Sequence, residues 1–93
     1  MQHPGIVHLR ALVRSLNYVV TTHAAEELDD DHLTIFDLEN IVLTGSITER
    51  QRDRQTHEVK CVIRGITLDG TSAETIVKTG HSSKLVFITV YAL

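Results

Sequence analysis

At Gly45 the spacing of apolar residues changes, and that change limits the folds open to this chain more than any other feature of its sequence. Before Gly45 apolar side chains recur every three or four residues, the period of a helix face. Ile6, Leu9, Val13 and Leu16 form one such stripe, with Arg10 and Arg14 turned elsewhere, and predict a helix within Gly5 to Asn17. Tyr18 to Thr22 is β-branched and aromatic and reads as a short strand or extended link that feeds His23. Ala24 to His32 is a second, short helix with Ala24, Ala25 and Leu28 on one side. Glu26, Glu27, Asp29, Asp30 and Asp31 make its far end acidic. Carboxylates oppose the partial negative charge of a helix C-terminus, so this helix should stop near Asp30. Thr34 with Asp37 three residues on is a capping signal for a third helix through Leu43, burying Ile35 or Phe36 with Leu38, Ile41 and Val42, and Gly45 ends it.

After Gly45 the period is two. Ile47 to Arg54 reads as a polar strand, and His57 to Thr67 as a second in which Val59, Cys61 and Ile63 alternate with Lys60, Val62 and Arg64. Leu68-Asp69-Gly70-Thr71 is a turn signal. Ala73 to Thr79 and Leu85 to Tyr91 are further strands, the last so apolar that it belongs inside the sheet. Helices first and a meander after predict an α+β fold, with N-terminal helices packed on one face of an antiparallel sheet of about four strands. The 93 residues suit one domain, 1–93, divided into an N-terminal helix (1–17), a strand and helix-helix segment (18–45) and an antiparallel meander (46–93).

Several function classes are excluded at this level. No apolar run approaches the roughly 18 to 20 residues of a membrane span, and no signal-peptide pattern opens the chain. One cysteine, Cys61, leaves no internal disulfide or cysteine zinc site, so a reducing cytoplasm is the expected compartment, with Cys61 as a buried strand residue. His3, His8, His23, His32, His57 and His81 show no metal-ligand spacing, and there is no phosphate loop, nucleophile elbow or dinucleotide fingerprint. Neither metal nor cofactor is expected. With a net charge of −3, nucleic-acid binding would need a local basic patch rather than a global field.

Such a patch has candidates. Along "ERQRDR" at 49–54, alternation sets Glu49, Gln51 and Asp53 on one face and Arg50, Arg52 and Arg54 on the other, either as an RNA or partner surface or as a charged edge that resists aggregation. His23, with an unperturbed pKa near 6.5, suits proton transfer at neutral pH or, equally, a capping bond at its helix start. Arg64 precedes the hairpin, and Thr89 and Tyr91 share one face of the last strand. A metal-independent ribonuclease must deprotonate a 2′-hydroxyl, stabilise charge on a phosphate and protonate a 5′-oxygen. His23, Tyr91 and Glu49 are the candidate catalytic groups. Arg50, Arg52, Arg64 and Thr89 are the candidate substrate contacts.

"TTHAAEEL" at 21–28, "LTIFDLENIVLTGSITE" at 33–49, "CVIRGITLDG" at 61–70 and "VFITVY" at 86–91 occur in this order. Together they resemble the family called domain of unknown function 4258, over about Tyr18 to Tyr91. The resemblance implies a compact RelE-like or barnase-like fold. It implies a toxin of a toxin–antitoxin pair, a metal-independent endoribonuclease (mRNA interferase-type hydrolase) with RNA as substrate and an MqsA-type zinc-finger antitoxin as partner. It also puts weight on His23. The family pattern carries arginines where this chain has Glu27 and Asp31. Either the basic contribution has moved to Arg50, Arg52, Arg54, Lys60 and Arg64, or the chain is a non-catalytic protein-binding module of the same fold that binds a protein or its own copy as a homo-oligomer.

Overall fold

The structure, a computed structural model, describes residues 5–79 and 83–93; His3 and His81 lie outside them. It contains α1 (Ile6–Arg14), β1 (Tyr18–Val20), α2 (Thr22–Asp30), α3 (Ile35–Thr44), β2 (Ser46–Arg52), β3 (Val59–Ile66), β4 (Ser72–Thr79) and β5 (Leu85–Ala92). The α+β class holds. The strand count does not: among the described residues five strands, in the order β1-β5-β4-β3-β2, replace the expected number of about four, and the sheet is mixed because β1 runs parallel to β5. The extended link supplies the extra strand for a physical reason. The Tyr18 ring meets Phe87 edge to face at 5.3 Å, and its hydroxyl donates to Glu39 Oε2 at 2.6 Å, so three residues are held on β5 from both ends of one side chain.

Strands β2 to β5 form the predicted antiparallel meander. One sheet face is buried: Val59, Cys61 and Ile63 of β3, Ala73, Thr75 and Val77 of β4, and Leu85, Phe87 and Val90 of β5. Leu9 and Val13 of α1, Ala24 and Leu28 of α2, and Leu38, Ile41 and Val42 of α3 complete this core. Burial raises the Cys61 thiol pKa, as expected of an inert structural cysteine. On α3 the core takes Ile35 in part and leaves Phe36 exposed. Arg10 on α1 donates to the carbonyls of Val42 and Gly45 at 3.3 and 2.8 Å, placing a cation on the C-terminal carbonyls of α3. Among the described residues no helix is long and apolar enough to cross a membrane.

Caps and turns follow the local signals. Thr34 and Asp37 form the capping box of α3. The other oxygen of Asp37 accepts the Leu68 N–H at 2.9 Å, which ties the β3–β4 turn to the helix. Within that turn Gly70 takes a φ of 90°, and Asp69 accepts from the Thr67 hydroxyl and the Thr71 N–H, bonds that hold its carboxyl down at about 2.

Candidate functional site

The opposite face of the sheet carries the alternate residues, and at one end these form a row of polar groups. The register pairs Arg64 on β3 with Glu74 on β4, and Glu74 with Tyr91 on β5. The Tyr91 hydroxyl donates to Glu74 Oε1 at 2.5 Å, and Arg64 Nε stands 3.9 Å from Glu74 Oε2. Hydrogen bonding to Glu74, followed by burial, raises the Tyr91 phenol pKa, so it stays protonated at neutral pH.

Beyond Tyr91 the sheet ends unusually. Strand β1 covers β5 only from Leu85 to Phe87, and past that point β5 is an edge. Helix α2 occupies this position. The Val90 N–H donates to Glu27 Oε1 at 3.1 Å and the Ala92 N–H to Asp31 Oδ2 at 3.0 Å. Carboxylates four apart on a helix rise by about 6 Å, and amides two apart on a strand by about 6.8 Å, so the two rows match. The acidic end of α2, unfavourable as a helix C-terminus, thus satisfies strand amides that lack a strand partner. Glu27 Oε1 also accepts from the Thr89 hydroxyl and lies 3.3 Å from His23 Nε2. An open depression of about 160 Å³, lined by Glu27, Asp30, Asp31, Val90 and Tyr91, connects the helix cluster to the sheet row.

The predicted residues divide accordingly. His23 and Thr89 meet at Glu27 and Tyr91 stands beside them on β5, while Arg64 lies two strands further across the sheet and reaches Tyr91 only through Glu74. The capping role open to His23 falls to Thr21, whose side chain accepts the Ala24 N–H at 3.1 Å, while the imidazole is 68% exposed one turn from Glu27. Glu49 shares the uncovered face but pairs with Val62, which pairs with Ile76, which pairs with Thr89. Three strand spacings put it about 14 Å away, so it does not join His23 and Tyr91. Arg50 and Arg52 pair with Cys61 and Val59, on the helix side of the sheet, because β2 shifts register between Ile47 and Glu49. They therefore face away from Arg64. The carboxylate that does accompany Tyr91 is Glu74, which nothing in "SAETIVKT" singles out; its only signal is the cross-strand register. Among the described residues no group of His, Cys, Asp or Glu side chains is arranged to hold a metal ion.

A small α+β protein, with helices on one sheet face, a row of Arg64, Glu74 and Tyr91 on the other and an acidic helix end on the sheet edge beside it, is the class that this fold and site define. The chain belongs to the family described as domain of unknown function 4258, whose sequence model matches residues 20–92. No curated protein and no solved structure matches it.

Proposed function

We propose that this protein is a small metal-independent endoribonuclease of the toxin type, working at the end of its uncovered sheet face. The observation that carries this reading is the row Arg64, Glu74 and Tyr91 across the sheet, which ends at a depression lined by Tyr91 and Glu27, with the Thr89 hydroxyl and the His23 imidazole on Glu27. In the reaction a base removes the 2′-hydroxyl proton, the 2′-oxygen attacks phosphorus, and the 5′-oxygen leaves with a proton, giving a 2′,3′-cyclic phosphate and a 5′-hydroxyl. On this reading Glu74 takes the first proton and the exposed His23 imidazole gives the second. Arg64 supplies positive charge to the phosphate, and the Tyr91 hydroxyl turns its proton from Glu74 to the phosphate as Glu74 takes up the 2′-hydroxyl proton. An MqsA-type antitoxin is the partner this reading carries with it.

One observation favours a second reading. The depression is lined by three carboxylates, Glu27, Asp30 and Asp31, a field that repels RNA and suits a basic segment of a partner protein. On this reading the chain is a non-catalytic binding module.

Incubating the purified protein with RNA in the presence of a metal chelator separates the two. The endoribonuclease reading expects cleavage with cyclic phosphate ends, about 100-fold slower in Tyr91→Phe and Glu74→Gln. Arg64→Ala should slow cleavage far more than Arg50→Ala, which lies on the other face. Intact RNA with the folded wild type and with a variant lacking the Glu27 carboxylate would establish the binding module instead.

A further inference from the structure

Glu27 makes more contacts through one oxygen than a helix-surface carboxylate needs. Oε1 receives the Thr89 hydroxyl and the Val90 N–H and faces His23 Nε2. These donors come from two elements, α2 and β5, and converge on a single point. The Val90 N–H belongs to the stretch of β5 that β1 leaves uncovered, so without Glu27 it would have no acceptor from a neighbouring strand. Converging hydroxyl, amide and imidazole donors are what holds an anionic oxygen, whether it belongs to a carboxylate or a phosphate.

We propose that His23, the Thr89 hydroxyl and the Val90 N–H form a subsite for a phosphate oxygen, and that the Glu27 carboxylate is its built-in occupant. This rests on the endoribonuclease reading for the identity of the natural ligand, a phosphodiester, but not for the subsite itself. The occupant can leave. Glu27 is 26% exposed and lines the open depression, so its side chain has solvent beside it to turn towards. Phosphate and Glu27 are then alternatives: a phosphate entering beside the resident carboxylate would meet like charge at hydrogen-bond distance. Asp31 stays in place either way, because its carboxylate is bound to the next free amide along β5, that of Ala92. It lowers affinity for an anion at the subsite without occupying it. On the sheet side, the oppositely charged Arg64 and Glu74 lie beyond Tyr91 and pair with each other.

The test titrates inorganic phosphate into isotope-labelled protein at about pH 6, where an ordinary histidine is largely protonated. The amides of Thr89 and Val90 and the His23 ring are followed in the wild type, Glu27→Ala and Glu27→Gln. Phosphate should bind Glu27→Ala at least about tenfold more tightly than wild type, with the largest shifts at Val90 and Thr89. Glu27→Gln keeps an amide oxygen for the Val90 N–H and loses the charge, so it should fall between the two. It also serves as the folded variant if removal of the whole side chain disrupts α2. Equal phosphate affinity in the wild type and the folded variants, or shifts elsewhere, overturns the proposal.

Cleavage of RNA by the same proteins separates this failure from that of the enzyme reading. Tighter phosphate binding with faster cleavage in Glu27→Ala supports both. Tighter phosphate binding with intact RNA keeps the subsite and removes the endoribonuclease. Cleavage by wild type with equal phosphate affinity throughout keeps the endoribonuclease and removes the occupant.

Discussion

Helix α3 lies on β3 at a distance that only glycine permits, and Gly65→Ala tests this contact. A Cβ added at Gly65 would stand 2.1 Å from the Ile41 carbonyl oxygen and 2.9 Å from both the Ile41 carbonyl carbon and Thr44 Oγ1. Relief requires α3 and β3 to separate by about 1 Å, because the obstructing atom is backbone and cannot change rotamer. Leu38, Ile41 and Val42, fully buried on that helix, then lose contact with the sheet. Overpacking of this kind costs about 1–3 kcal/mol, and the upper end applies when backbone meets backbone. Loss of glycine's freedom in the unfolded chain opposes it by about 0.4–1 kcal/mol. The net expectation is a destabilisation of about 2 kcal/mol, or a Tm lower by about 8–16 °C for a chain of this size.

Urea unfolding followed by circular dichroism should show a lower midpoint with an unchanged slope. The control is Gly70→Ala, where φ is 90° and nothing lies within 4 Å of an added Cβ, so that backbone strain acts alone and costs about 1 kcal/mol. A loss at Gly65 no larger than that at Gly70 would refute the close approach of α3 to β3.

Tyr18 makes stability fall in alkali. Burial and the bond to Glu39 push its phenol from 10.0 up to about 12. The folded state thus favours the neutral form, and this contribution is intact below about 10 and lost as the pH rises towards about 12. Stability measured across that range should decline more steeply for wild type than for Tyr18→Phe. On the acid side, the N–H groups of Thr34 and Leu68 hold the Asp37 carboxyl below its usual 3.8, so its contribution is present above that value and disappears as the pH falls further. Asp37→Ala should cost about 1–2 kcal/mol through loss of the cap, with faster hydrogen exchange at the Leu68 amide that its side chain holds.

Much of the fold is legible in local chemistry. The Thr34–Asp37 cap, the turn at Asp69-Gly70 and the alternation of Val59, Cys61 and Ile63 each act within a few residues and recur in the structure, and the α1 stripe recurs at Leu9 and Val13 but not at Leu16, which follows the helix with a φ of 60° and is exposed. The candidate site is legible only in part. His23, Arg64, Thr89 and Tyr91 stand out by residue type, and His23 and Thr89 meet at Glu27 while Arg64 and Tyr91 meet at Glu74. Glu49 stands out in the same way and lies across the sheet, while Glu74 stands out in no way and donates no signal until its cross-strand neighbours are known.

What the amino-acid sequence by itself determined was therefore periodicity and punctuation: which segments are helical, which are extended, which side each residue faces within its own element, and the α+β class that follows. Tertiary structure alone decided that Tyr18 to Val20 joins the sheet in parallel, that a register shift in β2 turns Arg50 and Arg52 away from Arg64, and that Glu27 and Asp31 bind the free edge of β5. The physical reason is range. Helix and strand preferences are settled by neighbours along the chain, whereas pairing partner, register and the sharing of one oxygen depend on separate segments meeting in space, more than sixty residues apart where Thr89 and Val90 reach Glu27.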